Sequence, residues 1–430
     1  MSLGDRLQWL DRHVNLEARA GKVEGLSLER MRTLVDALGD PQTAYPVIHL
    51  TGTNGKGSTA RMITALLAES GLTVGTYTSP HLERINERIS RNNEPIDDDD
   101  LADLLADLER LEPVIGVTNS YFELLTAAGL RWFADIAVDV AVVEVGLLGR
   151  YDATNVCDGL VAVVTNVGHD HTDGLDGWSA RIAEEKSGIV KPGSSLVLGE
   201  TDPDLLPIFH RAGAREIFER ERDFECEANE LAVGGRLLYL RTPRAAYEDV
   251  FLSLHGAHQG DNAACALTAA ESFFDSPLSD DVVRAALASM RVPGRFEVVG
   301  REPLIVLDGA HNIEGAATAA ATLRDDFKAD GETILVVAML SPREPMPILE
   351  ALDAEDATVV VASRAPSPRA VPPEDIAKAA EELGTRAIVE PDIATALERA
   401  RQMANPEDAI LVTGSLWFIG AARALLASPR

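Results

Sequence analysis

Short β-branched and aliphatic runs alternate along this chain with stretches whose apolar positions recur every three or four residues. Residues 138–145 (VDVAVVEV) and 160–166 (LVAVVTN) are near-continuous apolar runs, the pattern of strands in a parallel sheet covered on both faces. Residues 47–50, 72–77 and 195–198 read as further strands. Helical spacing marks 60–68, 120–134 and 179–187. Residues 3–38 read as amphipathic helix, with Leu28, Met31, Leu34, Val35 and Leu38 on one stripe that stops at Gly39. The acidic run Asp97 to Asp100 precedes a helix reaching Leu111, so it reads as capping and solvated surface rather than a metal site.

The rhythm changes at 224–254, where Gly234-Gly235 between alternating residues predicts a small antiparallel hairpin. Helices are expected at 261–274 and 279–290, and Val292-Pro293-Gly294-Arg295-Phe296 then breaks the pattern. A second strand–helix series follows, with strands at 304–307, 333–338, 358–361, 387–389 and 409–413 and a Pro/Ser/Arg-rich loop at 363–373. The fold class is therefore α/β: a P-loop doubly wound domain with a small antiparallel element, then a second, smaller Rossmann-like α/β domain. The expected division is 1–292 and 297–430.

Composition narrows the function. The 430 residues suffice for two or three domains, and no run approaches the length of a membrane span. The N-terminus lacks a basic segment followed by an apolar stretch, and three scattered cysteines (Cys157, Cys226, Cys265) suggest neither a disulfide framework nor a zinc site. A reducing cytoplasm is the expected location. The net charge of −30 disfavours nucleic acid and anionic membrane as partners. A Lys-poor, acid-rich surface also fits a high-salt cytoplasm, and an ordinary acidic protein from a high-GC genome is the alternative.

The candidate chemistry begins at Gly52-Thr53-Asn54-Gly55-Lys56-Gly57-Ser58-Thr59, between the strand at 47–50 and the helix at 60–68. Strand, glycine-rich turn and helix form the setting of a phosphate loop, where amides and the helix N-terminus face an anion. Lys56 can reach β and γ phosphates, and Ser58 can ligate Mg²⁺. The spacing departs from the usual pattern, because Gly57 intervenes between lysine and serine. Glu144 ends one strand, His171 follows the next, Lys186 lies on a helix, and Asp308-Gly309-Ala310-His311-Asn312 closes the first strand of the second series. Hard oxygens from Ser58 and Glu144 suit Mg²⁺, whereas His171 on chemistry alone is a base or a structural histidine.

The phosphate loop, Ser79-Pro80-His81-Leu82 with Asn86-Glu87-Arg88-Ile89, the Glu144 cluster, His171, Glu185-Lys186-Ser187-Gly188-Ile189, Pro293-Gly294-Arg295-Phe296 and Asp308-x-x-His311-Asn312 occur in this order over nearly the whole chain. The chain thereby resembles the folylpolyglutamate synthase/dihydrofolate synthase family, related to the Mur ligases. The resemblance implies ATP and Mg²⁺ as cofactors and dihydropteroate or folate with L-glutamate as substrates. It implies that Lys56 holds phosphates, that Ser58 and Glu144 hold one Mg²⁺, and that Glu144 with His171 holds a second. Lys186 matches a lysine carbamylated in the family. His258, Gln259, Asn262 and Arg295 match nucleotide contacts, with Asp308 near the ribose or hinge. His311 and Ser415 match the glutamate side, and Ser79, Pro80, His81, Phe122 and Asp152 the pterin side.

Leu148, His169 and Ile313 depart from the family pattern, which touches substrate detail rather than reaction class. The expected protein is an ATP-dependent amide ligase working through an acyl phosphate, a monomer without nucleic-acid or membrane partners. The alternatives are a Mur-type ligase acting on another carboxylate and a nucleotide switch without ligase activity.

Overall fold

The computed structural model describes residues 2–15, 27–169, 177–327 and 331–427. Seventeen strands form three sheets among the described residues. The first sheet contains β1 (Val47–Thr51), β2 (Val74–Tyr77), β3 (Ile89–Arg91), β4 (Glu94–Pro95), β5 (Val140–Glu144), β6 (Val161–Val164), β7 (Ser195–Leu198) and β8 (Glu216–Glu219). Its order is β4-β3-β2-β5-β1-β6-β7-β8. The strands from β2 to β8 along this order run parallel, and β3 and β4 add an antiparallel edge. β1 lies between β5 and β6, with Leu50 opposite Glu144 and Thr51 opposite Val164. The chain leaves β1 in one direction to reach β2 and later turns the other way to β6 and β7. Ligands of doubly wound sheets bind at such a reversal.

The second sheet is antiparallel: β9 (Glu225–Ala232), β10 (Gly235–Arg241) and β11 (Ala246–Leu252), in the order β11-β10-β9. It has three strands where the pattern predicted a hairpin. Leu238, Leu240, Tyr247 and Val250 join one apolar core with Ile48, Val142 and Val163 of the first sheet. The third sheet holds β12 (Glu297–Arg301), β13 (Leu304–Leu307), β14 (Thr333–Val337), β15 (Val359–Ala362), β16 (Ala387–Val389) and β17 (Ala409–Thr413), ordered β12-β13-β17-β14-β15-β16. Only β12 is antiparallel to its neighbour. Apolar clusters cover both faces of this sheet, as its uninterrupted aliphatic strands require.

The helices that shape the site are α1 (Lys56–Glu69), α2 (Tyr121–Asp135), α3 (Trp178–Ser187), α4 (His258–Phe274), α5 (Ile313–Asp326) and α6 (Leu416–Ala427). α1 starts four residues earlier than the apolar pattern indicated, so Lys56 is itself the first helical residue. At the N-terminus, the expected helix over 3–38 is two helices, Leu3–Leu10 and Glu29–Ala37, and residues 16–26 lie outside the described residues. The helix after the acidic run is Asp98–Ile115, and Asp97 caps it by accepting from the Asp100 amide at 2.8 Å. β12 and β8 had no clear signature, because both are edge strands of mostly half-buried residues.

Candidate active site

The phosphate loop is held from below by the loop after β6. The Asn166 carboxamide oxygen accepts the amides of Thr53 and Asn54 at 3.0 and 2.9 Å. Thr165 Oγ1 donates to the Asn54 carbonyl at 2.6 Å. Gly168 N donates to Thr53 Oγ1 at 2.9 Å. Thr53 and Asn54 therefore spend their N–H groups on the scaffold, which leaves the first turn of α1, from Gly55 to Ser58, to face an anion. Gly55 caps that turn at φ +82°, and a Cβ there would collide with the Asn262 carboxamide from α4. Asn262 in turn donates to Gln259 at 3.0 Å. Lys56 Nζ curls over the loop to the carbonyls of Gly52 and Thr53, at 3.0 and 3.2 Å. Ser58 and Thr59 are buried beneath it.

Glu144 ends β5 beside this turn, its carboxylate within van der Waals reach of a Cβ placed at Gly57. Only 3% of Glu144 is exposed. Burial pushes its pKa up to about 7, against the opposing pull of Lys56, then Arg295, the Ser79 backbone and Arg61. A buried carboxylate among cations, with a serine hydroxyl on the adjacent helix turn, is a hard-oxygen donor set. Among the described residues no group of three His, Cys, Asp or Glu gathers. The hard oxygens of Ser58 and Glu144 suit a magnesium-type ion that keeps waters and shares phosphate oxygens. His171 lies outside the described residues.

Lys186 is 3% exposed and lines a crevice of about 40 Å³ with Thr51, Lys56, Gly146, Leu148 and Ile182. Leu148 sits at φ +60°, a left-handed conformation that a leucine adopts at a cost of order 1–2 kcal/mol. Its carbonyl accepts from Thr51 Oγ1 at 2.6 Å, which fixes the strained turn to β1. Asp152 faces inward: it accepts from Leu147 N at 2.8 Å, Thr154 N at 3.0 Å and Thr154 Oγ1 at 2.5 Å. Burial raises its pKa while those bonds lower it. Its carboxylate thus holds the turn that carries Leu148. Phe122 on α2 packs against Gly146, where a Cβ would strike its ring. Ser79 and Pro80 line the main cleft. His81 accepts Arg88 Nε–H at Nδ1, 2.9 Å away, and meets the Trp417 ring edge-on at 5.7 Å.

That main cleft measures about 360 Å³ and is walled by both parallel sheets' loops. The phosphate loop, Glu144, His258 and Asn262 stand on one side, and Arg295, Asp308, His311 and the α5 residues Glu314, Thr318 and Thr322 on the other. Asp308 accepts from Phe296 N at 2.8 Å and Ala310 N at 2.9 Å, which clasps the junction between the two series. His311 Nδ1 bonds the Gly309 carbonyl at 2.8 Å. Ser415, just before α6, is buried, and its hydroxyl has no hydrogen-bond partner among the described residues. His258 is half-buried, and desolvation, with Arg295 nearby, lowers its pKa to about 4. The structure thus brings Lys56, Ser58, Glu144, Asn262, Arg295, Asp308 and His311 to one cleft and sets Lys186 in the adjoining crevice, with Asp152 beneath its rim. Sequence reasoning overlooked the part of Asn166 and Thr165 in shaping the loop. A polar pair closing an apolar strand at 165–166 was the available signal.

A phosphate loop facing a second α/β unit across one cleft is the arrangement of a Mur-type ligase. A model of the Mur ligase middle domain matches residues 50–270, and one of the Mur ligase glutamate ligase domain matches residues 294–416. The chain is 37% identical to the dihydrofolate synthase/folylpolyglutamate synthase of Mycobacterium tuberculosis, over 93% of this chain and 90% of that one. A crystal structure of Mycobacterium tuberculosis folylpolyglutamate synthase complexed with ADP and AMPPCP superposes with a TM-score of 0.92 at 36% identity, covering 99% and 98% of the two chains. The bifunctional folylpolyglutamate synthase/dihydrofolate synthase of Yersinia pestis, complexed with AMPPNP and a Mn ion, gives a TM-score of 0.86 at 29% identity, covering 99% and 98%. The chain belongs to the folylpolyglutamate synthase/dihydrofolate synthase family.

Proposed function

We propose that this protein is an ATP-dependent amide ligase that joins L-glutamate to dihydropteroate, to folate polyglutamates, or to both. The observation that carries the reading is the shared cleft, with phosphate-binding groups on one wall and Asp308 and His311 on the other. A carboxylate is a poor acyl donor, so a pteroate or folate carboxylate oxygen attacks the γ-phosphorus of ATP and releases ADP. The amine of glutamate then attacks the acyl phosphate, phosphate leaves, and an amide forms.

Lys56 and the Gly55–Ser58 amides hold the transferring phosphates, with Gly52, Thr53 and Asn54 shaping the turn. Thr59, Asn262, Arg295 and Asp308 complete the nucleotide side. A divalent ion held by Ser58 and Glu144, with His171 and a carbamylated Lys186 as further donors, supplies neutralisation of phosphate charge. Ser79, Pro80, His81 and Phe122 form the pterin side, Asp152 supports its turn, and His311 and Ser415 take the glutamate. The first unit is residues 1–292 and the second 297–430. The enzyme acts as a cytoplasmic monomer, without nucleic acid or membrane; among the described residues no helix is long and apolar enough to cross one.

The test is ADP release by the purified protein with dihydropteroate or tetrahydrofolate, each with and without glutamate. Release that needs both a pterin substrate and glutamate is expected. Release independent of glutamate, or none with either pterin, overturns the reading.

A further inference from the structure

α5 packs with the third sheet, yet its first turn is bonded to both loops that build the phosphate site on the first. Asn312 caps the helix by accepting from Gly315 N at 2.8 Å through Oδ1. Its Nδ2 reaches across the cleft and donates to Asn54 Oδ1 at 3.0 Å. Two residues on, in the same first turn, Glu314 Oε1 accepts the His169 backbone N–H at 2.9 Å, in the loop after β6. Neither cross-cleft bond is needed to form the helix, because Oδ1 alone supplies the cap and Glu314 is exposed. The backbone of Asn54 is already fixed at both its N–H and its carbonyl, so its side chain reports the loop's position rigidly.

The other end of α5 is anchored differently. Asp326, its last residue, pairs with Arg236 of β10 at 2.6 Å and accepts from Gly256 N at 2.8 Å. Both charged side chains are almost fully buried, and breaking such a pair is costly. Between the two anchors Gly315, Thr318, Ala319 and Thr322 line the nucleotide cleft. The buried ion pair is the firmer anchor, and the other end, a latch of one amide–amide bond and one bond to an exposed carboxylate, forms and breaks more readily.

Resting on the ligase reading above, we infer that Asn312 and Glu314 are positioning residues for ligation. They lock the phosphate loop and the 166–169 loop to the helix that follows His311. The phosphate being transferred and the amine acceptor side are thereby held in register. A displacement of about 1 Å at a reacting centre can cost about a hundredfold in rate.

The test uses the full chain with Asn312→Ser, Glu314→Ala, their combination, and Glu314→Gln. Serine keeps a capping oxygen but is too short to reach Asn54, and glutamine keeps an acceptor for His169 N–H. Wild-type ADP release with dihydropteroate and glutamate is measured first and judges the ligase reading by itself. Amide hydrogen exchange across 52–58 and 166–169 judges the latch without reference to activity: it should quicken in the double variant and stay unchanged in Glu314→Gln. The double variant should lose about 10- to 100-fold in kcat with nucleotide Kd within about twofold and an unchanged thermal midpoint. Glu314→Gln should retain clearly more kcat than Glu314→Ala. Unchanged exchange or wild-type kcat in the double variant overturns the inference. So does a kcat that falls only together with the thermal midpoint, or a Glu314→Gln as impaired as Glu314→Ala.

Discussion

Glu144 and Asp308 occupy corresponding places in the two parallel sheets. Each carboxylate lies at the carboxyl end of a parallel strand, β5 or β13, against the same cleft. Burial raises both, Glu144 to about 7. They differ in how their oxygens are answered. Asp308 spends both on the amides of Phe296 and Ala310 and so clasps the junction between the units. Glu144 faces Lys56, Arg295 and Arg61, whose pull only partly offsets the burial that raises its pKa to about 7. A carboxylate satisfied by backbone N–H groups is architecture, and one left short of donors beside a phosphate turn is held for a ligand at some cost in stability.

The sharpest way to break this contrast is to neutralise each acid. Glu144→Gln should lower ADP release by about a thousandfold while the protein alone melts no earlier than wild type. Equal activity in Glu144→Gln would remove Glu144 from the phosphate chemistry, and wild-type turnover by Lys56→Ala would sink the phosphate-loop assignment. Asp308→Ala should do the opposite. It orphans two amides and should cost about 2–4 kcal/mol of stability in urea unfolding, with catalysis reduced mainly through the loosened junction. If Asp308→Ala leaves the unfolding midpoint unmoved, the clasp is not architectural.

Acid extends the comparison from two residues to two units. Burial lowers His49, in the middle of β1, to about 3, and His258, on α4, to about 4. Both start from the ordinary value of 6.5. As pH falls below that value the unfolded chain takes up protons that the folded chain refuses. The stability these neutral imidazoles permit is therefore whole above about 6.5 and is lost as pH drops toward 4 for His258 and 3 for His49. The sole histidine in the second series is His311, so the first unit should fail first in acid. His49→Gln should recover about 2 kcal/mol at pH 4 and almost nothing at pH 8, read by denaturant titration at both pH values. Equal acid slopes in the two proteins would discard the assignment.

The smallest effect per residue, spread over both units, is salt. With 69 acidic against 39 basic residues, self-repulsion should ease as KCl rises to molar levels, lifting the thermal midpoint by a few degrees. A midpoint that falls over the same range would place the acidity in composition alone.

Much of the architecture was legible along the chain. The β-branched runs became β5, β6, β14 and β17, because a strand buried on both faces has to be apolar throughout. The glycine-rich turn after β1, the strand-end Glu144 and the turn at Asp308 were visible because each is a local arrangement of residue types next to a strand. The edge strands β8 and β12 were not, since half-buried positions carry no clean alternation. The third strand of the small sheet also escaped, because a bulge at Glu248-Asp249 breaks the alternation of Ala246–Leu252.

What sequence alone determined, then, is which segments are strands and helices and which residue types stand at their ends, since periodicity and turn chemistry act over a few neighbours. Only the tertiary structure decided how each polar group is spent. Thr53 and Asn54 read as phosphate donors, and Asn166, over a hundred positions away, takes their amides. Asp152 read as a substrate contact, and its carboxylate is bonded to Leu147 and Thr154. Asn54 and Asn312 meet across the cleft from two different sheets. A hydrogen bond is settled by which donor and acceptor are brought within about 3 Å, and that proximity arises only when separate segments pack together.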